Sequence, residues 1–347
     1  MNIVTGPMTP TPLDKLPPGR PLGEEWHLNA RAYAGAARSV ASFRKHMKYL
    51  PNIALPVTFH EKMFWRRMFD RDPAFIRYCD KLACRRLFEA LDPPVALPRL
   101  LWTGRRPEDL PDELVRPGVI VKLNAGCRQN WFFSRDGVDR AGFERACRGW
   151  LARPYGRKHR QWGYAGVERM LFAEEEIACD RMTMDELKVH LFGGRVYYSV
   201  NYREEKTPTS KSAIFDASGN RLDFTTSLAK YRPERRLSAG HRVPDCYGEA
   251  LAAAEAIAAG SDYLRVDFMV ADGVLYGGEV TVYPSAGLMT VSDSAIMRDM
   301  ARAWDLRKSW FLKTPQHGVL ARYRERLAVF VERERASHAA RTQVESL

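Results

Sequence analysis

The segment YLRVDFMVADGVLYGGEVTVYPSAG, residues 263–287, constrains the fold more than any other part of the chain. Its side chains alternate as they do in two β-strands joined by a turn, with aliphatic and aromatic residues at every second position of the first strand. A sheet that packs on a core would not need charged residues among these neighbours. The opposite face nevertheless carries polar side chains on both strands: Arg265, Asp267, Glu279, Thr281 and Tyr283.

The length of the turn decides whether the two acidic residues meet. A three-residue turn at Ala271-Asp272-Gly273 places Glu279 across from Arg265 and one diagonal step, roughly 7 Å, from Asp267. Two carboxylates at that separation, without His or Cys nearby, are typical ligands of magnesium bound together with phosphate oxygens. A two-residue Asp-Gly turn, the commonest hairpin connection, instead places the acids on opposite faces and leaves an exposed hairpin. The sequence leaves both turns open.

Lysines stand in the middle of two further strands. Lys122 in VIVKLN and Lys188 in DELKVHL lie opposite aliphatic faces, as solvent-facing lysines do and as phosphate-binding lysines also do. Three glutamates, residues 174–176, directly follow the apolar strand in RMLFAEEEI. They are either solvated or placed to hydrogen-bond an adenine and a ribose.

The order of elements predicts an α+β fold in which helices flank mainly antiparallel sheets. A proline-rich arm precedes a helical region, and the basic connector RPYGRKHRQWGYAG separates two subdomains. The second subdomain is expected to open with the strand in RMLFAEEEI, and the charged C-terminal helix is expected to lie on the surface. The expected boundaries are 1–23 for the arm, 24–79 for the helical region, 80–165 and 166–312 for the subdomains, and 313–347 for the last helix.

The net charge of +12 favours an anionic partner, whether a substrate, a polymer or an acidic membrane face contacted peripherally. The arginines are spread over many segments, which argues against nucleic-acid binding. The chain begins without an apolar signal region and contains no apolar stretch of membrane-spanning length. Its six cysteines are scattered and form no C-x-x-C pair, a pattern typical of a reducing cytoplasm.

Taken in order, five stretches resemble the ATP-grasp superfamily, and in detail its TupA-like branch of teichuronopeptide biosynthesis. They are DKLACRRLFEAL, VIVKLNAG, LFAEEEI, DELKVHLFGGRVYYSVNYR and the segment 263–287, and they extend over about residues 80–290. The most specific match is Arg-Val-Asp-Phe followed by Gly-Glu-x-Thr-x-Tyr-Pro. The resemblance implies an ATP-grasp fold, in which two α+β subdomains enclose a nucleotide cleft.

The resemblance also implies roles for individual residues towards ATP and Mg²⁺. Metal ligands would be Asp267 and Glu279, with Thr281 where many relatives have an asparagine, and Arg265 would act with Lys122 on the reacting group. Substrate would meet Arg203, Tyr283 and Ser285. The nucleotide would be bound by Lys81, Lys122, Arg128, Glu174, Glu175, Ile177, Asp185 and Lys188.

Two segments depart from the family pattern. The loop over the phosphates is usually rich in glycine, so that backbone N–H groups can approach the anion, but here it is NAGCRQN, with a single glycine. PSAG stands where PGSG is common. The departures concern catalysis more than nucleotide binding.

The resemblance implies a carboxylate–amine ligase that forms an amide through an acyl phosphate, acting on anionic small-molecule or glycan substrates in cell-surface polysaccharide biosynthesis. Three alternatives remain open: a small-molecule or glycan kinase on the same site, a non-catalytic protein that binds nucleotide or glycan, and a basic nucleic-acid-binding protein.

Overall fold

The computed structural model describes residues 26–177, 184–205, 207–225 and 233–345, so the predicted arm at 1–23 lies outside the described residues. The helices are α1 (Trp26–Met47), α2 (Phe59–Phe69), α3 (Ala74–Cys79), α4 (Lys81–Glu89), α5 (Arg140–Ala152), α6 (Tyr247–Ala258), α7 (Ser294–Ala303), α8 (Trp310–Lys313) and α9 (Val319–Glu345). The strands are β1 (Leu100–Gly104), β2 (Val119–Leu123), β3 (Asn130–Phe132), β4 (Leu171–Glu175), β5 (Asp185–Phe192), β6 (Arg195–Arg203), β7 (Lys211–Phe215), β8 (Arg221–Leu222), β9 (Tyr263–Ala271) and β10 (Val274–Thr281).

The helical region before residue 80 begins its second helix with a capping box. The Thr58 hydroxyl accepts a hydrogen bond from the Glu61 N–H at 3.2 Å, and the Glu61 carboxylate accepts one from the Thr58 N–H at 3.1 Å. These bonds satisfy backbone donors that the first turn of a helix cannot pair internally. α2 therefore begins at Phe59, and most of its side chains are buried.

A buried ion pair joins α2 to the start of β9. The Arg66 guanidinium contacts the Asp262 carboxylate, and the side chains are 0% and 4% exposed. Asp262 also accepts a hydrogen bond from Trp304 Nε1 at 2.8 Å, and the Arg66 guanidinium lies 4.6 Å from the centroid of a ring of that indole. Both charges are thus satisfied in the core, as buried ions must be.

Two antiparallel sheets form the body of the protein. The smaller has the order β1-β4-β2-β3 and the larger the order β10-β9-β5-β6-β7-β8. The expected α+β architecture is therefore confirmed. The expected subdomain boundary is wrong for one element: the strand in RMLFAEEEI lies between β1 and β2 of the smaller sheet and does not open the larger one. Its apolar side chains Leu171 and Ala173 complete the small core under that sheet.

The larger sheet buries one face and leaves the other polar. Leu187, Val189, Val266 and Phe268 are at most 1% exposed and belong to the main core, which α6 closes. The β5–β6 connection is a turn at Gly193–Gly194, with φ values of 59° and 81°. The opposite face of the sheet carries the charged residues of the site.

The C-terminal helix was expected on the surface, and one side of its first half packs on the core through Tyr323 and Leu327. Trp65 Nε1 donates a hydrogen bond to the Tyr323 hydroxyl at 2.9 Å, and that hydroxyl donates to the Ala54 carbonyl at 2.7 Å. Leu327, one turn further along α9, is fully buried. Among the described helices, none has the length and apolar character needed to cross a membrane.

Candidate active site

A cavity of about 900 Å³ lies over the polar face of the larger sheet. Its walls come from three further parts of the chain: the β2–β3 loop 126–129, the connector 153–164, and Glu205 together with residues from 207–225 (which include β7) and 235–236. Seven of the predicted site residues line it: Arg128, Lys188, Arg265, Glu279, Thr281, Tyr283 and Ser285.

The β9–β10 hairpin turns over two residues, so the three-residue turn was wrong. Ala271 pairs with Val274, and the residues between them, Asp272 and Gly273, have φ values of 49° and 78°. That turn alone would have separated the acids. A β-bulge between Gly277 and Glu279 adds one residue to β10 and shifts the register, so that Glu279 lies directly opposite Asp267 and Thr281 opposite Arg265.

The bulge brings the two carboxylates to one face, and its extra residue has to be small. A Cβ atom on Gly278 would lie 2.7 Å from the Asp267 carbonyl oxygen and 3.3 Å from the Asp267 carbonyl carbon. The burial pattern of β10 reflects the bulge. Leu275 and Val280 are both buried although they are five residues apart, which a regular strand would not allow on one face.

Asp267 is held by two cations. Arg265 Nε and Nη2 donate to its two carboxylate oxygens at 2.6 Å each, and Lys188 Nζ donates to one of them at 3.3 Å. Burial alone would raise the pKa of Asp267, but the charges of Arg265 and Lys188 outweigh it and hold the pKa below its usual value. Burial likewise lowers the pKa of Lys188, yet Asp267 shifts it above the usual value. All three groups are therefore charged at neutral pH.

Glu279 is the more open of the two acids. Its side chain is 36% exposed, and it lies 3.6 Å from Arg265 Nη2 and 3.8 Å from Lys81 Nζ. The Thr281 hydroxyl donates to Glu279 at 3.4 Å and accepts from Arg265 at 3.2 Å. The hydroxyl therefore fixes the side chains around it.

The donor set at the hairpin suits Mg²⁺. Two carboxylates on one face, with an open cavity in front of them, match an ion that takes one or two protein carboxylates and fills its other positions with phosphate and water. Asp267 would have to exchange a contact with Arg265 for the ion, whereas Glu279 already faces the cavity. The described residues contain no cluster of three or more His, Cys, Asp or Glu side chains that could hold a metal without phosphate.

The β2–β3 loop is tied to the start of α4. Lys81 Nζ donates to the Gly126 carbonyl, and the Lys81 N–H donates to the Asn124 carbonyl at 2.9 Å. Gly126 has a φ of 137°, and Arg128, with a φ of 61°, carries its exposed side chain at the cavity wall. Lys81 itself is not one of the described residues that line the cavity.

Lys122 and Glu174 contact each other away from the cavity. Lys122 Nζ donates to one oxygen of Glu174, and Arg85 of α4 donates to the other at 3.1 Å. Arg85 also donates to the Pro98 carbonyl at 2.6 Å, so that α4 closes over this part of the small sheet. Among the described residues that line the cavity with Glu279, none of these three side chains is found. Their nucleotide roles stay predictions.

The other predicted nucleotide residues are also apart from the cavity. Glu175 forms an exposed ion pair with Arg99 at 2.5 Å, and Ile177 is half-buried two residues beyond the end of β4. Asp185 and Arg203, predicted to meet the ribose side and the substrate, are joined to each other at 3.0 Å. That pair compensates both charges within the larger sheet.

Tyr283 and Ser285 follow β10 at the rim of the cavity. Tyr283 is 3% exposed, its hydroxyl accepts a hydrogen bond from the Gly163 N–H at 3.3 Å, and burial raises its pKa. Ser285 is exposed at a φ of 50°. Sequence reasoning missed the residues that the connector and the described residues after β6 supply to the cavity, such as Tyr155 and Glu205, because nothing local to those stretches marks them.

Residues 144–300, under half of the chain, match the TupA-like ATP-grasp family. This match includes the larger sheet and both carboxylates, and it confirms the resemblance to the ATP-grasp superfamily. No curated protein matches the chain significantly.

Several solved ATP-grasp ligases are similar to the chain at low identity and low TM-score. The ligase PsnB, solved with a precursor variant, Mg and ADP, is 13% identical with a TM-score of 0.35, over 75% of this chain and 60% of that one. The D-alanine–D-alanine ligase of Bacillus anthracis, solved with ATP, is 16% identical with a TM-score of 0.34, over 75% and 68% of the chains. The same ligase from Helicobacter pylori is 12% identical with a TM-score of 0.37, over 74% and 70%. At identities and TM-scores this low, neither the substrates nor the reactions of these ligases can be assigned to this chain.

Proposed function

Because the chain resembles the TupA-like ATP-grasp family, we propose that it is an ATP-dependent ligase that joins a carboxylate to an amine. The observation that carries the proposal is the pairing of Asp267 with Glu279 across the hairpin, where Glu279, Arg265 and Lys188 line the cavity. This is a set of two hard anionic ligands and two fixed cations in one place. It suits the binding of a metal–triphosphate complex and the stabilisation of negative charge on a reacting group.

The proposed reaction has two steps. A substrate carboxylate attacks the γ-phosphorus of ATP, the bond to the β-phosphate oxygen breaks, and ADP leaves an acyl phosphate behind. An amine then attacks the acyl carbon, phosphate departs, and the amine loses a proton to give the amide. Bound Mg²⁺, held by Asp267 and Glu279, would supply charge neutralisation on the phosphates. Arg265 and Lys188 would position the anionic groups and offset their charge.

The substrates we propose are anionic and connected with cell-surface polysaccharide. The charge of the chain supports an anionic substrate, and the family match is to a TupA-like protein. Six predicted nucleotide residues do not line the cavity in this structure. We propose that they contact the nucleotide after the two subdomains rearrange: Lys81, Lys122, Glu174, Glu175, Ile177 and Asp185.

A screen for ADP release tests the proposal. Pairs of acids and amines, including amino acids and uronic acids, are added with Mg²⁺ and ATP. Release that needs both an acid and an amine supports a ligase, whereas release with a hydroxyl compound alone identifies a kinase. Binding of the nucleotide without turnover of any pair favours the non-catalytic alternative.

Matched variants then test the site. We expect Glu279→Gln and Asp267→Asn to lower turnover at least about a hundredfold, the usual cost of losing one preorganised charge contact. Glu332→Gln is the control: it removes an exposed carboxylate of α9, which pairs with Arg307, and should leave turnover unchanged. Near-normal activity in either hairpin variant would contradict the metal assignment.

A further inference from the structure

A second cavity, of about 400 Å³, is lined by residues of α2, α7 and α9, and we call it the helical cavity. No described residue lines both this cavity and the one over the larger sheet. Its volume falls within the range of roughly 300–1,000 Å³ that small-molecule sites occupy. A ligand bound here is therefore separate from the proposed ligase reaction.

Apolar side chains come to the helical cavity from each of these helices and from the segment that follows α7. They are Phe59, Met297, Ala301, Trp304, Leu306, Phe330 and Val331. Phe330 and Val331 of α9 are only half-buried, although Leu327 of the same helix is fully buried in the core. An apolar chain placed here would remove their surface from water, which strengthens binding about fourfold for each buried methylene group.

The charged residues that line the helical cavity carry more positive than negative charge: Lys62, Arg298, Arg302, Arg307 and Arg335 against Asp305 and Glu334. Asp305 is already compensated, because Arg307 pairs with it at 2.5 Å. Arg298 donates to the Ser294 hydroxyl at 3.2 Å and has no acidic partner among the described residues. The border of the cavity therefore complements an anion.

Lys62 brings a cation next to the apolar lining. It is half-buried, and its Nζ donates to the carbonyls of Ala301 and Trp304 at 2.6 and 2.7 Å. An ammonium group has three N–H donors, and the third of Lys62 has no acceptor among the described residues. Burial lowers the pKa of Lys62 to about 8, although the carboxylates of Asp305 and Asp262 oppose the shift. An anionic group beside the ammonium would supply the missing bond and charge.

We propose that the helical cavity binds an amphiphile with one anionic head group and an apolar tail. The head group accepts a hydrogen bond from Lys62 and lies beside Arg298, while the tail packs on Trp304, Phe330 and Val331. A purely hydrophilic anion would leave the apolar surface in water, and a neutral apolar molecule would leave the ammonium without its third bond. Both parts of the ligand are therefore needed.

Titration calorimetry below the critical micelle concentration tests the site with three probes: decanoate, hexanoate and decanol. We expect decanoate to bind at least about tenfold more tightly than hexanoate, because each buried methylene group contributes about fourfold. Decanol has the same tail without the charge and should bind at least about tenfold more weakly than decanoate, since it lacks a charge-assisted hydrogen bond. Failure of decanoate to bind, or equal affinity for decanoate and either other probe, would overturn the proposal.

Two matched pairs of variants locate the binding. Val331→Trp fills the helical cavity from α9, whereas Val329→Trp adds the same side chain at an exposed position that does not line it. Arg298→Gln removes a cation from the border, and Arg322→Gln removes one from the exposed surface of α9. Lys62 is left unchanged, because its bonds to the end of α7 support the fold.

We expect both cavity variants to weaken binding of decanoate by at least about tenfold, through lost space for the tail and a lost contact to the head group. Both controls should bind decanoate as the wild-type protein does. Unchanged affinity in either cavity variant would overturn the proposal.

Phosphatidylglycerol vesicles distinguish the source of the amphiphile. Sedimentation with the vesicles that Val331→Trp abolishes and Val329→Trp preserves would identify a lipid of a membrane surface. Binding of decanoate, with equal sedimentation of the wild-type protein and Val331→Trp, would identify a soluble amphiphile. None of these measurements uses turnover of ATP, so the result is separate from that of the screen for ligase activity.

Discussion

Replacing Gly278 by alanine tests whether the bulge holds the two carboxylates together. The new Cβ would lie 2.7 Å from the Asp267 carbonyl oxygen, whereas ordinary contacts begin at 3.4 Å, so the strands must separate by about 0.7 Å at this point. The neighbouring atom belongs to the backbone and cannot rotate away. Overpacking of this kind costs about 1–3 kcal/mol of stability.

The same displacement moves Glu279 relative to Asp267. Because misplacement of a site by about 1 Å can cost a hundredfold, we expect the affinity for Mg·ADP to fall by roughly tenfold to a hundredfold. Urea unfolding measures the first effect and titration calorimetry the second. Both effects should appear together, since one strand shift causes them.

Gly149→Ala is the matched control. Gly149 lies inside α5, and a Cβ there would meet nothing within 4 Å. This change should leave the affinity unchanged and raise stability by about 0.5–1 kcal/mol, as alanine does in a helix interior. If Gly278→Ala matches the wild-type protein in both stability and affinity, the bulge does not position the acids and the argument for the site is refuted.

Three further changes test the scaffold. Thr58→Ala removes the cap of α2 and should lower the free energy of unfolding by about 1 kcal/mol in urea; no loss would show that the cap is dispensable. Asp262→Asn leaves Arg66 charged and unpaired in the core and should cost about 3–5 kcal/mol, so a cost below 1 kcal/mol would contradict the buried pair. Burial lowers the pKa of His60 to about 4, although its bond to the Met289 carbonyl opposes the shift. The unfolded chain therefore binds the additional proton between about pH 6.5 and 4, and stability falls as pH drops through that window by up to about 3 kcal/mol. His60→Gln should flatten this dependence, and equal slopes in denaturation series at several pH values would refute it.

The smaller sheet shows where prediction from sequence ended. β2 and β3 pair locally, because they are adjacent in the chain and joined by a short loop. The position of β4 between β1 and β2 could not be predicted, because β4 pairs with strands some 50 and 70 residues earlier. No local pattern records such a partner.

The candidate site divides in the same way. Asp267, Glu279 and Lys188 could be chosen as candidate site residues from the alternation of side chains along the strands and from the family resemblance. Two further ion pairs could not be foreseen, because they depend on which strands and helices pack together. Lys122 pairs with Glu174, and Arg203 pairs with Asp185, so these side chains lie apart from the cavity.

By itself the sequence determined what is periodic and local: the α+β order of elements, the two strands of the last hairpin, and the polar side chains that alternate along them. Only the tertiary structure decided that the two acids share one face. A single additional residue in one strand reverses the side to which every later side chain points, and the backbone of the partner strand decides where that residue fits. The same holds for the cavity, whose lining residues come together only because distant segments fold around it.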